Sequence, residues 1–332
     1  MRPMDSLALR HDGRVLRILD QTLLPDREVW SEAGAPEAMT GHIRRLAVRG
    51  APLIGVAAAL SLACMAEAGA APDALGRAAA ALRAARPTAV NLMWAMDRMA
   101  ALVDRGAPAL CAEAEAIFAE DVALCEAMAR HGLSLFTPGE AVLTHCNSGG
   151  LATAGIGTAL GVIRRGFEAG RVRHVFVDET RPLLQGARLT AWELGRLGIP
   201  HTLITDSMAA ILMREGQVQR VLVGADRVAR NGDFANKVGT YGLAVQARHH
   251  GVPFHPVAPW STVDLQCPDG RSIPIELRDQ AEVRGFGAWR WAPETSPAFN
   301  PSFDVTPVQL VTSLVLDRGV VPREALEAGY LK

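Results

Sequence analysis

A cysteine, an aspartate and two arginines stand where side chains commonly do chemistry. Thr144-His145-Cys146-Asn147-Ser148-Gly149-Gly150 follows the short apolar run AVLT, so the thiol lies at a strand end. It sits beside His145 and before backbone amides freed by two glycines, and an amide nest or helix N-terminus there favours thiolate over thiol. The other cysteines, Cys64, Cys111, Cys125 and Cys267, read as small buried hydrophobes. Asp226 ends the strand-like VQRVLVGAD, where a carboxylate could bind metal, cap a turn or transfer a proton. No second carboxylate and histidine follow at ligand spacing, which disfavours a metal. As a general acid near neutrality, Asp226 would need a pKa well above the usual value of about 3.9, which demands a closed, apolar site. Arg49 precedes Gly50-Ala51-Pro52, which opens an apolar helix, and Arg86-Pro87-Thr88-Ala89-Val90-Asn91 repeats that arrangement. Arginines at helix starts suit an oxyanion such as phosphate, held by guanidinium forks and amides.

The elements that must position these groups fall into two textures. Val15–Leu19 reads as a short strand, and the alanine-rich chain from about Ala35 to Arg130 has helical period. It breaks at Gly50-Ala51-Pro52, Ala71-Pro72, Arg86-Pro87 and Gly106-Ala107-Pro108. From about Pro138, apolar runs alternate with helical stretches. Ala141–Thr144, Val172–Val177, His201–Ile204, Val218–Val223 and Val252–Val257 are expected strands; Ala152–Gly170, Gln185–Leu197, Ser207–Glu215 and Gly239–His250 are expected helices. Such alternation predicts a parallel α/β sheet with helices on both faces. The fold class expected is therefore α/β: a mostly helical N-terminal domain with a small β element, residues 1–130, and a Rossmann-like C-terminal domain with a parallel sheet, residues 131–332.

Each expected strand ends in polar groups: His145 and Cys146, then Asp178, Glu179 and Thr180, then Asp206 and Ser207, then Asp226 with Asn231, Asp233, Asn236 and Lys237, then Trp260 and Ser261. Asp206 and Ser207 read equally well as helix N-caps. A whole rim of such groups is the pattern of an active site. Gly155-x-Gly157-x-x-x-Gly161, with Asp178 at the next strand end, has the outline of a dinucleotide fingerprint. Its first glycine, however, comes well after the strand, within an expected helix, so close packing is the better reading and no nucleotide cofactor is called for.

Composition narrows the classes. The 332 residues are 49% hydrophobic and 21% charged, enough for a substantial core. Net charge is −1, and no cluster of Lys and Arg appears, which speaks against nucleic acid as a partner. The run Ala51–Ala66 is shorter than the roughly 20 residues of a membrane span, and MRPMDSLALRHDGR lacks a signal peptide's apolar core. Five cysteines without a CxxC pair suggest neither disulfides nor zinc, so a cytoplasmic location is expected.

VRGAPLIG, RPTAVNLMWAM, THCNSGGLATAGIGTALGVIR, VDETRPLLQGARLTAWEL, GADRVARNGDFANKVGTYGLA, GRSIPIE and NPSFDVTP occur in this order, over nearly the whole chain. Together they resemble the methylthioribose-1-phosphate isomerases, whose fold is shared with regulatory subunits of the eukaryotic initiation-factor exchange complex. The resemblance implies a homodimer that uses no cofactor and converts 5-methylthioribose 1-phosphate into 5-methylthioribulose 1-phosphate in methionine salvage. It implies that Arg49, Gly50, Ala51, Arg86 and Gln185 bind substrate, with Asn236 and Lys237 completing the pocket. Asp226 would be the proton donor, and Cys146 would assist proton or hydride movement. This chain departs from the expected Asn-Ala-Gly-Ala at Asn147-Ser148-Gly149-Gly150, and it carries Trp260 where a smaller aliphatic residue is expected. The departures leave 5-deoxyribose 1-phosphate open as a substrate. Ribose 1,5-bisphosphate isomerisation and a non-catalytic regulatory role are the alternatives; the first needs a second cationic cluster, and the second has no need of Cys146, Asp226, Gln185 and Asn236-Lys237 together.

Overall fold

The computed structural model describes residues 1–86 and 89–331. They form two compact units, one within residues 1–127 with 148–161, the other within residues 128–147 with 162–331. Thus the chain leaves the second unit after Asn147, builds part of the first, and returns at Val162.

The small β element of the first unit is a four-stranded antiparallel sheet: β1 (Met4–Asp5), β2 (Leu9–His11), β3 (Leu16–Leu19) and β4 (Trp30–Glu32), in that order. Five helices follow: α1 (Pro36–Arg44), α2 (Ala51–Glu67), α3 (Pro72–Arg83), α4 (Val90–Ala100) and α5 (Ala107–Gly132). The expected breaks at Pro52, Pro72 and Pro108 each become the first turn of a helix, because proline is tolerated there and not inside a helix. Pro87 and Thr88 lie outside the described residues. Helix α2 is apolar around its whole circumference, and Leu53 to Ala63 are all buried, so it is the central helix of the unit. A methyl group on Gly55 would sit 2.7 Å from the Asn91 carbonyl oxygen, so α2 and α4 touch near their first turns. That contact draws the starts of both helices, each preceded by an arginine, to one end of the unit.

Residues 148–158 overturn one expectation. Helix α6 begins only at Ala159 (Ala159–Glu168), not at Ala152, so Gly155 and Gly157 belong to an irregular loop. The loop stays folded because its polar groups are met: Gln21 Nε2 donates to the Leu151 carbonyl (2.7 Å), the Leu53 amide to the Ala152 carbonyl (3.1 Å), and the Ala154 amide to Asp121 Oδ2 (2.5 Å). Gly157 has φ +99° and bridges to Gly149, whose Cα would lie 2.4 Å from a Gly157 methyl group; a methyl on Gly155 would strike Cys125 at 2.8 Å. Close approach consumes both glycines, as the packing reading expects, although the segment is no helix.

Asp121 is buried, and burial pushes its carboxyl up to about 6 against the one amide it accepts. A raised folded value means that the fold favours the protonated form. Its contribution to stability is therefore full below about pH 3.8, is lost as pH rises toward about 6, and is gone above that. The shift from 3.8 to about 6 corresponds to about 3 kcal/mol. Between pH 3 and pH 7 the wild type is expected to lose about that much relative to Asp121→Asn, read from paired urea-unfolding curves. A difference that does not change with pH would show Asp121 to be already ionised in the fold.

The second unit is built on β5 (Glu140–Thr144), β6 (Val172–Asp178), β7 (His201–Ile204), β8 (Arg220–Gly224), a hairpin of β9 (Arg227–Ala229) and β10 (Phe234–Lys237), and β11 (Phe254–Val257). Helices α7 (Ala191–Arg196), α8 (Ala209–Arg214) and α9 (Thr240–His249) connect them. Later come β12 (Val263–Asp264), a two-stranded ribbon of β13 (Gly285–Phe286) and β14 (Trp289–Arg290), then β15 (Phe303–Thr306), β16 (Ser313–Leu316) and β17 (Gly319–Pro322). The main sheet has the order β17-β16-β11-β8-β5-β6-β7, parallel except for β17. All five expected strands are in it. Winding runs outward through β6 and β7 on one side of β5, and through β8 and β11 on the other. The direction reverses between β5 and β8, and ligands of open parallel sheets bind beyond the strand ends at such a reversal. Sequence periodicity did not announce the second sheet, β12-β9-β10-β15, whose strands are short.

Candidate active site

Cys146 follows β5 and Asp226 follows β8, the two strands that flank the reversal. Cys146 has φ +63°, a left-handed conformation that costs a non-glycine residue about 1–2 kcal/mol. Its surroundings hold it there. Its amide donates to Thr180 Oγ1 (2.7 Å), and its carbonyl accepts from Thr190 Oγ1 (2.5 Å). Asn147, also buried, donates from Nδ2 to Thr190 Oγ1 and Glu193 Oε2, both at 3.2 Å. The turn is thus clamped from both sides by residues after β6, and the half-buried thiol is presented at its bend.

Thr180 is itself fixed. Its φ is +63°, its hydroxyl donates to the Asp178 carbonyl (3.0 Å), and its amide donates to Asp206 Oδ1 (2.8 Å). The Arg181 amide takes Asp206 Oδ2 at 2.8 Å. Asp206 therefore clamps a neighbouring turn across the rim, and it makes no cap bond to the helical residues after it.

Gln185 stands at the start of a π-helical turn, Gly186–Thr190, that runs into α7; a plain helix was expected here. Such turns recur at functional sites because they displace side chains from α-helical phase. A methyl group on Gly186 would lie 1.7 Å from the Asp178 carbonyl oxygen, so only glycine fits. Gln185 is buried, and among the described residues its Oε1 has no hydrogen-bond partner. A buried acceptor left open is costly, and a sugar hydroxyl would satisfy it.

Asp226 is placed by the β9–β10 hairpin. The pairs Val228–Phe234 and Arg227–Ala235, continued by the bond from the Asp226 amide to the Ala235 carbonyl (2.9 Å), bring Asp226 level with Asn236. Asp226 is half-buried. Asn236 is buried and donates to Thr240 Oγ1 (3.0 Å). Lys237 Nζ donates to the Ser302 carbonyl (2.6 Å) and lies 4.8 Å from the Phe303 ring centre. By contrast, Asn231 and Asp233, expected at the rim, form the hairpin turn: Asp233 accepts from the Val308 and Gly270 amides and from Asn231 Nδ2. They shape the second sheet and take no part at the strand ends.

In the first unit, Arg49 is buried and donates from Nε to Gln21 Oε1 (3.0 Å). Gly50 has φ +97°, and a methyl group there would meet Ala152 at 2.6 Å. At the start of α2, Pro52 has no N–H, Leu53 donates to Ala152 and Ile54 to Gly50. Among the described residues, the amides of Gly50 and Ala51 make no hydrogen bond, so they remain to receive an anion beside the Arg49 guanidinium. Arg86 is half-exposed, with its carbonyl accepting from the Ala89 amide (3.1 Å).

The sequence reading missed the pairing of His145 with Asp178, although it places both at the rim, and the roles of Thr180, Thr190 and Glu193. Hydroxyls and a buried glutamate in helical runs carry no periodic signal. Among the described residues, His145, Asp178 and Asp206 could group around a metal, with ligand atoms within 4.8 Å of one another. Both His145 nitrogens and both Asp206 oxygens are already engaged by protein groups, which a cation would have to displace.

Comparison with known proteins extends the geometry. The model of the initiation factor 2 subunit family matches residues 47–323. The chain is 56% identical to a methylthioribose-1-phosphate isomerase of Enterobacter sp. (strain 638), over 100% of this chain and 99% of that one. It is 57% identical to a protein of the same name from Cronobacter sakazakii, over 99% of each. Among solved structures, 5-methylthioribose 1-phosphate isomerase from Pyrococcus horikoshii OT3 matches with a TM-score of 0.91 at 40% identity, covering 98% of this chain and 95% of that one. The translation initiation factor eIF-2B, subunit delta, from A. fulgidus matches with a TM-score of 0.86 at 39% identity, covering 98% of each.

Proposed function

We start from the fact that the chain belongs to the initiation factor 2 subunit family, and we propose that it is an aldose–ketose isomerase converting 5-methylthioribose 1-phosphate into 5-methylthioribulose 1-phosphate. The observation that carries this reading is the Cys146 turn: a thiol held in a left-handed conformation at the strand reversal, with the Asp226 carboxyl at the end of the adjacent strand. A scaffold protein gains nothing from that strain, which speaks against the regulatory role suggested by the initiation-factor relative.

The chemistry assigns the parts. Phosphate on the anomeric oxygen stops the ring from opening as a free sugar's does. An acid must protonate the ring oxygen, which is the task of Asp226. Hydrogen then moves from C2 to C1 while C2 becomes a carbonyl, either through an enolate with Cys146 as base or by a direct hydride shift beside Cys146. Arg49, Arg86 and the amides of Gly50 and Ala51 hold the phosphate, so its binding energy orients the reacting carbons. Gln185, through its open Oε1, and Asn236 with Lys237 hold the sugar hydroxyls. The protein works as a homodimer in the cytoplasm, as part of methionine salvage.

Trp260 bears on the 5-substituent. It is half-buried, its amide donates to Asp317 Oδ1 (2.6 Å), and Arg318 stacks on its ring at 4.1 Å. The experiment compares kcat/KM for methylthioribose 1-phosphate, 5-deoxyribose 1-phosphate and ribose 1,5-bisphosphate. The first should be used best and the last least. No turnover of any of the three would return the regulatory reading.

A further inference from the structure

We infer that His145 is a positioning residue for the isomerisation: a buried imidazolium that donates from both ring nitrogens and pins the Cys146 turn to two neighbouring elements. The inference rests on the proposed isomerase reading for its effect on rate, but not for the charge state itself.

His145 is 1% exposed. Its Nε2 lies 2.9 Å from the Val238 carbonyl, which can only accept, so Nε2 carries a hydrogen. Its Nδ1 lies 3.0 Å from Asp178 Oδ2, which accepts when Asp178 is ionised. Burial pushes the Asp178 carboxyl up, the hydrogen bond and charge of His145 push it down, and the ionised form is the one that pairs with an imidazolium. A neutral imidazole can donate from only one of these nitrogens, whereas the imidazolium satisfies both. Asp178 is at the end of β6, and Val238 lies between β10 and α9. One ring thus ties the end of β5 to two other segments, one residue before the thiol. The fit is close: Gly239 has φ +106°, and a methyl group there would lie 2.8 Å from His145 Cε1.

The surroundings favour the charge. Asp178 from β6, Asp206 after β7 and Asp304 from β15 all act on the ring. Asp206 is fixed by the Thr180 and Arg181 amides, and Asp304 by the Gly239 and Tyr241 amides, with Lys237 acting on Asp304 as well. Burial opposes an imidazolium, but the Asp178 hydrogen bond, the charges of Asp178 and Asp206 and the Val238 carbonyl outweigh it and hold His145 above its ordinary value. The brace is therefore complete below that raised value, and it loses one bond as pH rises through it.

Asp178 supplies the discriminating variant. Among the described residues its Oδ1 has no partner, so an amide loses nothing on that side. In Asp178→Asn, the new N–H₂ can donate to Nδ1 of a neutral ring, which still donates from Nε2 to Val238. Both bonds survive without the charge. In His145→Gln, the link to Asp178 is lost.

The test has two parts. Nitrogen-15 NMR of histidine-labelled wild type at pH 7, with His145 assigned by its loss in His145→Gln, should show both ring N–H groups. A neutral His145 at pH 7 overturns the inference whatever the activity. In kinetics, His145→Gln should lose at least about tenfold in kcat with KM little changed, the signature of misplaced reacting groups. Wild-type kcat should fall on the alkaline side in step with the NMR titration. Asp178→Asn should lose at most a few-fold and lack that alkaline limb. A His145→Gln protein with wild-type kcat overturns the positioning role, as does an Asp178→Asn protein as slow as His145→Gln. If His145→Gln fails to fold, Asp178→Asn and the wild-type titration decide. A wild type that turns over no pentose 1-phosphate sinks the function reading, while the NMR result still decides the imidazolium.

Discussion

Cys146→Ala is expected to lower kcat by roughly three orders of magnitude without unfolding the protein. The thiol sits on a turn that the backbone and two threonines already fix: Thr180 Oγ1 takes the Cys146 amide, and Thr190 Oγ1 donates to its carbonyl. Neither bond uses the side chain, so removing sulfur leaves the clamp intact. Cys146→Gly sharpens the test. Glycine adopts φ +63° without the steric cost borne by cysteine, so this variant should be about 1 kcal/mol more stable than Cys146→Ala and equally inactive. Urea-unfolding midpoints and kcat on methylthioribose 1-phosphate read the two effects separately. A folded Cys146→Ala enzyme with near-wild-type turnover would remove Cys146 from the chemistry.

Asp226→Asn should be the other severe lesion, with kcat falling by about 10²- to 10⁴-fold and KM little changed. Asparagine keeps the shape of the side chain. The Asp226 backbone amide still donates to the Ala235 carbonyl, so the hairpin that sets Asp226 level with Asn236 is preserved. The transferable proton is lost. Because ring opening needs an acid, the variant should bind the phosphate and stall before the carbonyl forms. Saturation kinetics beside a binding titration with substrate separate these steps. Undiminished kcat would assign ring opening to another group.

Much of this is legible in the sequence alone. The proline and glycine breaks at Pro52, Pro72 and Pro108 are local signals, and each marks a helix start. Five of the six parallel strands are apolar runs too short for helices, and their polar termini point to Cys146 and Asp226; β16 was not expected. Residues 148–158 mislead because a small-residue run has helical propensity by itself. Its conformation is set by contacts distant in the chain, such as those with Gln21, Leu53 and Asp121. The second sheet escapes notice because β9, β12 and β15 are short, and because a polar hairpin turn resembles a strand end supplied with ligands. The His145–Asp178 bond joins residues at two strand ends, and only the sheet order makes them neighbours.

The π-helical turn at Gly186–Thr190 makes chain length itself a functional variable. Such a turn accommodates one residue more than an α-helix would. Deleting any single residue there would let the helix relax to α geometry and rotate the segment before the turn by about 100° relative to α7. Gln185 lies before the turn, while Thr190 and Glu193, which hold Cys146 and Asn147, lie at its end and beyond. A one-residue gap at this place in a related sequence is therefore a change of mechanism or specificity, even where every named side chain is retained.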